Sequence, residues 1–401
     1  MREGGKPKAL IAMSGGVDSS AAALLAVRAG YDCVGVTMAL RGGVADAEGA
    51  EREVDAEETE RAADAEGARR EVDAEEAEWA ADAEGAGRGA DAEGIKWGAD
   101  VEGAEQAAEK LGIKHLVLDY KNEFRSRVVE PFVSSYETGK TPNPCITCNT
   151  DIKFGLLYDY AVAEGFDKLV TGHYARIIED RNGSFRLARA SYAKKDQSYF
   201  LYGIPKEKLG HLLFPLGELT KKDVRAIAAE AGLENADKGE SQDICFVPNG
   251  DHAEFIIGYR GSPSAAGNFV DTHGRILGRH SGIERYTIGQ RRGLGLAVGH
   301  PIFVKEIRPE TREVVLADEY ELFVSHINIA TVNLFSEVPK RAEVMIRYNA
   351  KPARAGISAG PDGSLIAEFD EPVRAPAKGQ AAVLYDGDYV IGGGRIEDIW
   401  Q

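Results

Sequence analysis

Cys145 and Cys148 stand three residues apart in Gly139-Lys140-Thr141-Pro142-Asn143-Pro144-Cys145-Ile146-Thr147-Cys148-Asn149. A third thiol, Cys245, lies far downstream in Gly239-Glu240-Ser241-Gln242-Asp243-Ile244-Cys245-Phe246. Such thiols act as nucleophiles or as metal ligands, and in both roles the thiolate is the working form. Pro142 and Pro144 fix φ and bar helix through the loop, which suits a presented thiol. Helix-type sequence over 151–163 predicts that Cys148 sits just before a helix N-terminus, where a thiol pKa is lowered. The polar residues before Cys245 predict a reachable loop thiol. Cys33 falls in an apolar strand-type run and reads as a buried small hydrophobe. A four-cysteine zinc site would need Cys33, which its strand position opposes. A three-thiolate iron–sulfur cluster with an open iron position is the competing reading.

A second constellation lies near the start. Ser14-Gly15-Gly16-Val17-Asp18-Ser19-Ser20 follows a short apolar run, Lys8 to Met13, and leads into an Ala/Leu-rich helix pattern closed by Gly30. Glycines let a backbone approach an anion closely. The helix N-terminus adds free N–H groups and the positive end of its dipole, and the serines add hydroxyl donors. The loop lacks the Gly-Lys-Ser/Thr ending of a Walker A loop and the Gly-x-Gly-x-x-Gly spacing of a dinucleotide fold.

These groups must be held by a scaffold whose pattern is legible. The loop sits in a strand–turn–helix–strand unit, with a second strand over Cys33 to Leu40, the start of a parallel sheet. Helix patterns follow over 124–138 and 220–231, the second with Thr220 as N-cap and Gly232 as stop. Asn182-Gly183 between two alternating runs reads as a hairpin. Beyond Cys245 the character changes. Arg285 to Gly295 is basic and glycine-rich, and short alternating runs follow at 302–307 and 313–317. From about Ser325 strand patterns dominate, with turns at Pro361-Asp362-Gly363 and Asp386-Gly387, as in a closed barrel of about six strands.

The net charge of −17 is concentrated in one place. Asp46, Asp55, Asp64, Asp73, Asp82, Asp91 and Asp100 recur every nine residues, and the seven units over 46–108 hold 22 acidic and 6 basic residues. The remaining residues are close to neutral and can still carry a basic face for a polyanion. Nine residues at ~100° each turn successive units to opposite sides of a helix, so no apolar stripe forms. The Gly-Gly-x-Gly-x-Asp pattern of calcium-binding rolls is absent. An expanded insertion over 46–99 is expected, with the last unit passing into a core helix and a strand at 115–118. No run of ~18 apolar residues occurs, so no membrane span or membrane partner is expected. The first residues lack an apolar signal core, and four cysteines make no disulfide scaffold. Both point to a cytoplasmic protein with reduced thiols.

Ser14 to Ser20 resembles the pyrophosphate loop of the PP-loop ATP pyrophosphatases. That loop, Thr141 to Asn149, Thr171-Gly172-His173-Tyr174-Ala175-Arg176, Lys195-Asp196-Gln197-Ser198-Tyr199-Phe200 and Ser241 to Phe246 occur in this order. Together they resemble the bacterial tRNA-specific 2-thiouridylases over nearly the whole chain outside the repeats. The resemblance implies an α/β PP-loop (adenine nucleotide alpha hydrolase-like) parallel-sheet domain over 1–245. A small central β-rich domain over 246–322 and a C-terminal β-barrel over 323–401 complete it.

It also implies roles. ATP, with Mg²⁺, lies on Ala12, Met13, Ser14, Gly15, Gly16, Val17, Asp18 and Ser19, with Met38 near the adenine and Gly172 a further contact. Cys148 is the nucleophile and Cys245 the persulfide carrier. Asn143, Pro144 and Cys145 lie beside the target base, and aspartate can replace Cys145. Lys195, Asp196 and Gln197 form one tRNA-contacting stretch, and Arg347 with Tyr348 a second. Basic residues such as Arg279, Arg291, Arg292 and Lys351 would serve phosphate contact, and Tyr348 could stack a base. The implied partners are tRNA and a persulfide donor, either a cysteine desulfurase or a sulfur-relay protein. Competing readings are an iron–sulfur-dependent tRNA thiolase of the same superfamily, a PP-loop synthetase that needs no cysteine, and a non-catalytic ATP- or tRNA-binding protein.

Overall fold

The computed structural model describes residues 5–40, 92–233 and 244–401. The expectation of an expanded insertion lies, through residue 91, outside the described residues, as do Ser241, Gln242 and Asp243. The end of the insertion differs from expectation: a helix already runs from Ala92, well before Asp100.

The first sheet is built from Lys8–Ala12 (β1), Asp32–Ala39 (β2), Lys114–Asp119 (β3), Lys168–Val170 (β4) and Leu212–Leu213 (β7). A hairpin, Ala175–Glu179 (β5) and Phe185–Arg189 (β6), lies between β4 and β7 in sequence. The five sheet strands are parallel in the order β3-β2-β1-β4-β7. Ala9, Leu10 and Ile11 of β1 are fully buried, as expected for a central parallel strand covered on both faces. One covering layer contains Val17–Arg28 (α1), Ala92–Leu111 (α2) and Lys221–Glu230 (α5), whose small residues Ala21, Ala22, Ala104, Ala108 and Ala228 let the helices approach closely. The other contains two broken helices. The first (α3) joins Lys121–Phe124, the π-turn Arg125–Val129 and Glu130–Glu137. The second (α4) joins Pro144–Thr147, the π-turn Cys148–Leu156 and Leu157–Ala163. Strand order reverses beside β1, which has β2 on one side and β4 on the other. A crevice therefore opens at the carboxyl ends of β1 and β4, the usual ligand position in such sheets.

After Cys245, His252–Arg260 (α6) leads into a mixed sheet of Gly267–Val270 (β8), Ile276–His280 (β9), Phe303–Arg308 (β10) and Glu313–Ala317 (β11), in the order β10-β11-β8-β9. Six antiparallel strands follow. They are Phe323–Leu334 (β12), Arg341–Met345 (β13), Ala353–Ala359 (β14), Leu365–Arg374 (β15), Ala381–Asp386 (β16) and Tyr389–Trp400 (β17). Pairing of β12 with β17 closes them into a barrel. Hairpin β5–β6 extends this sheet through Tyr389 opposite Ala188, so the barrel is stitched to the nucleotide-type domain by backbone as well as side chains.

Candidate active site

The Ser14–Ser20 loop lies in the β1–β4 crevice. Gly15 turns the chain at φ 65°, a conformation that a side chain would strain. The loop is held from within. Ser14 N–H donates to Ser19 Oγ at 3.1 Å, and the Ser19 and Ser20 hydroxyls donate to Gly16 O at 3.0 and 3.1 Å. Thr37 Oγ1 donates to Met13 O at 3.0 Å and so ties the loop to β2. Gly172 comes against the first turn of α1, where a Cβ would meet Asp18 C and Ser19 N at 2.9 Å. Only glycine fits there without moving backbone. Ala12, Met13, Gly16 and Val17 complete the curve from β1 into α1, with Met13 and Val17 buried. Met38 lies near the carboxyl end of β2 and packs against two apolar clusters.

The thiols are brought together by packing. Phe246 is buried among Phe124, Phe132 and Phe255, with ring centroids 5.6, 5.3 and 5.2 Å away. Cys148 and Ile152 belong to the same cluster, and Ile244 packs against it. Anchored on both sides, exposed Cys245 is held close enough to Cys145 and Cys148 for the three to influence one another electrostatically.

The surroundings of Cys148 correct the expected helix N-terminus. Helix α4 begins at Pro144, not at Asp151, with Asn143 as N-cap. Proline is tolerated at the first helical position because its missing N–H would lack a partner there anyway. Cys148 therefore sits inside the helix, at the start of a π-turn, and is buried. Burial pushes its thiol up to about 12, opposed by Lys153, with smaller upward contributions from Cys245, Cys145 and Asp151. Burial also pushes Cys145 up to about 11. The expected depression of the Cys148 pKa does not occur, because desolvation outweighs the single nearby cation. Cys33 is buried on β2 and likewise raised, to about 11. Among the described residues, no group of three or more His, Cys, Asp or Glu is arranged to hold a metal ion.

His173 shares a 2.7 Å hydrogen bond with Thr171 and packs against the rings of Phe154 and Phe214, which also touch each other. Burial, aided by Lys153, holds its pKa well below the usual imidazole value, so it is neutral near pH 7. Asn149 is buried and donates to Phe200 O at 3.1 Å.

The residues expected to contact tRNA differ in how they are presented. Asn143, Pro144 and Cys145 form the start of α4, next to a cleft of about 210 Å³. One wall of this cleft carries Pro142, Asn143 and Pro144, and the other carries Thr331, Gly379 and Arg395 of the barrel. Lys195 is half-buried at the end of a short 3₁₀ turn. Asp196 is buried and accepts from Ala190 N–H, Ser198 N–H and Ser198 Oγ at 2.9, 3.1 and 2.9 Å. Gln197 Oε1 accepts from Tyr174 N–H at 2.9 Å. Arg347 donates to Ile288 O at 3.1 Å and to Ala375 O, tying the central domain to the barrel. The Tyr348 ring lies 4.4 Å from that of Phe200, so part of the surface expected to stack a base is packed inside the protein.

Three family descriptions match the chain. The tRNA methyl transferase HUP domain matches residues 7–84 and 81–249, the tRNA methyl transferase PRC-barrel domain 254–318, and the aminomethyltransferase beta-barrel domain 323–396. The tRNA-specific 2-thiouridylase MnmA of Lachnoclostridium phytofermentans is 41% identical over 393 residues, covering 97% of this chain and 99% of that protein. This chain belongs to the tRNA-specific 2-thiouridylase family. Its counterpart in Carboxydothermus hydrogenoformans is also 41% identical, over 98% of both chains, and that of Treponema denticola is 39% identical. The thiouridylase family membership accounts for the five-stranded parallel HUP sheet, the central mixed sheet and the six-stranded barrel.

Sequence reasoning missed three residues of this candidate site. Lys221 pairs with Asp18, and Tyr174 OH donates to the same carboxylate at 2.7 Å. Lys153 lies near enough to Cys145, Cys148 and His173 for its charge to act on all three. The five-residue spacing of Cys148 and Lys153 separates them by ~140° on an α-helix, so the pattern gave no signal. The π-turn, with i→i+5 bonding, brings such a pair back toward one face.

Proposed function

We propose that this protein is an ATP-dependent tRNA-uridine 2-sulfurtransferase acting on the wobble position. Full-length similarity to thiouridylases is the single observation that carries the reading. The convergence of Cys148 and Cys245 in a chain that also carries a phosphate-type loop supports the chemistry.

ATP is held by Ala12–Ser19, Met38 and Gly172. Asp18 and the serine hydroxyls are hard oxygen donors of the kind Mg²⁺ takes together with nucleotide phosphates, so the residues fit that ion, which would neutralise phosphate charge. The uridine C2 oxygen attacks the α-phosphorus and pyrophosphate leaves. Cys245 carries a persulfide received from a desulfurase or a sulfur-relay protein. Its terminal sulfur adds to C2, and the C2–O bond breaks to release AMP. Cys148 gives up its thiol proton to solvent and attacks Cys245 Sγ, and the S–S bond breaks with its electron pair passing to the transferred sulfur. The products are 2-thiouridine and a Cys148–Cys245 disulfide, which a thiol reductant must reduce before the next cycle. Neutral His173 and the Asn149–Phe200 bond position the site and carry no proton.

Asn143, Pro144 and Cys145 lie beside the base. Lys195 and Gln197 face the RNA, while Asp196 holds their loop; Arg347 holds the barrel against the central domain and Tyr348 packs it against Phe200 of the first domain, at a second RNA-facing edge. The working division is 1–245, 246–322 and 323–401.

The test is mass analysis of tRNA nucleosides after incubation with ATP, Mg²⁺ and a persulfide source. 2-Thiouridine, AMP and pyrophosphate are expected. Cys148→Ser and Cys245→Ser should bind tRNA yet make no 2-thiouridine. Release of ADP and phosphate, or thiolation that survives loss of both thiols, would overturn the reading.

A further inference from the structure

The carboxylate of Asp18 is gripped from two elements besides its own. Lys221 Nζ donates to Oδ1 at 2.7 Å and to Oδ2 at 2.8 Å, and Tyr174 OH donates to Oδ1 at 2.7 Å. Lys221 is no wandering surface lysine, because only 12% of its side chain is exposed. It is the first residue of α5, and the turn that presents it is locked by a capping box. Asp223 N–H donates to Thr220 Oγ1 at 3.2 Å, and Thr220 N–H donates to Asp223 Oδ2 at 2.9 Å. Helix α5 packs on α1, whose second residue is Asp18. Gly172 closes the third side, against Asp18 backbone.

This arrangement puts a desolvated ammonium at the mouth of the phosphate loop, paired with the one acidic side chain of that loop. A nucleoside triphosphate brings a charge of about −4 to the same place, where the Asp18 carboxylate repels it and an ammonium attracts it. A partly buried ion pair here adds little stability by itself, since desolvation and solvent screening offset most of the attraction. Its position at the loop is what asks for explanation.

We propose that Lys221 is a ligand for the polyphosphate of the nucleotide, parked on Asp18 while the site is empty. When Asp18 turns to Mg²⁺ on binding of the metal–nucleotide complex, Lys221 is released to a phosphate oxygen of that nucleotide. Tyr174 keeps its hydrogen bond and holds Asp18 in place during the exchange. The inference rests on the nucleotide reading of the loop, and it explains why a lysine from a distant helix, absent from the glycine loop itself, completes the site.

Isothermal calorimetry of ATP binding, with Mg²⁺ and with EDTA, tests it without tRNA or turnover. Lys221→Met should weaken Mg-ATP binding on the order of tenfold to a hundredfold, the usual worth of a charge-assisted contact. Asp18→Asn should free Lys221, so metal-free ATP should bind this variant at least about fivefold more tightly than it binds the original protein. The double variant separates a ligand from a mere counter-ion. A ligand predicts that Asp18→Asn with Lys221→Met binds metal-free ATP about tenfold or more below Asp18→Asn alone. A counter-ion predicts equal affinity in those two, with thermal stability lost in Lys221→Met and restored in the double variant. That result would overturn the proposal while leaving the nucleotide site intact. Failure of the original protein to bind ATP at all would overturn both the proposal and the nucleotide reading.

Discussion

Cys148 should be a poor nucleophile in the free protein. Its pKa of about 12 leaves roughly 10⁻⁴ of it as thiolate at pH 8. An ordinary thiol of pKa ~9 has about a thousandfold more. The rarer thiolate is intrinsically more nucleophilic, and a Brønsted slope of ~0.45 over three units returns about twentyfold. The net expectation is alkylation about fiftyfold slower than for an exposed unperturbed thiol, before any loss of access. The assay is iodoacetamide treatment between pH 7 and 10.5, with peptide-resolved mass spectrometry of each cysteine. Exposed Cys245 should react first. The Cys148 rate should climb about tenfold per pH unit with no plateau in that range. A plateau below pH 9, or a Cys148 rate matching that of Cys245, would refute the argument that burial dominates. The same raised pKa carries a stability consequence. The unfolded thiol loses its proton first, so this contribution is fully present below pH ~8.5 and is lost progressively as pH rises toward about 12. In the proposed sulfur-transfer scheme, a mostly protonated Cys148 would attack a persulfide on Cys245 only slowly, which would favour keeping the loaded sulfur until tRNA arrives.

Lys153→Ala should raise the Cys148 pKa further and slow its alkylation at pH 8 on the order of tenfold, while Lys153→Arg retains the original profile; identical pH profiles in all three proteins would show that the π-turn pairing is without effect. Gly172→Ala drives a Cβ to 2.9 Å from α1 backbone, so it should cost about 1–3 kcal/mol in urea unfolding and weaken ATP binding at least tenfold; unchanged ATP affinity by calorimetry would mean the loop can yield. Phe246→Ala empties the aromatic cluster that anchors Cys245 and should cost about 3–5 kcal/mol. If the protein stays folded at low temperature, its sulfur transfer should fall with ATP binding preserved, and preserved transfer would count against the anchoring role.

Much of the fold was legible in residue patterns because the information is local. Apolar Lys8 to Met13, the glycine turn and the Ala-rich helix after it specify a strand–loop–helix unit wherever they occur, and Thr220 with Asp223 caps its helix within four residues. Glu313–Ala317 alternates and flanks itself with turns, so its strand was read with its observed bounds. By contrast, the strand Ala353–Ala359 carries Ala, Gly and Ser and gave no local signal; it exists because β13 and β15 pair with it on either side. The site divides the same way. Side-chain chemistry marked Cys145, Cys148 and Cys245, since thiols carry their reactivity wherever they are placed, whereas Asp18 entered only through the resemblance of its loop. Their electrostatics did not follow from type. A thiol's pKa depends on how much water and charge surround it, and only the packing of Phe246 and Ile152 around Cys148 decided that it would rise. The cations Lys153 and Lys221 were invisible for a related reason. One is brought round by a π-turn and the other by helix α5 docking on α1, and Coulomb attraction depends on distances that exist only once the chain has folded.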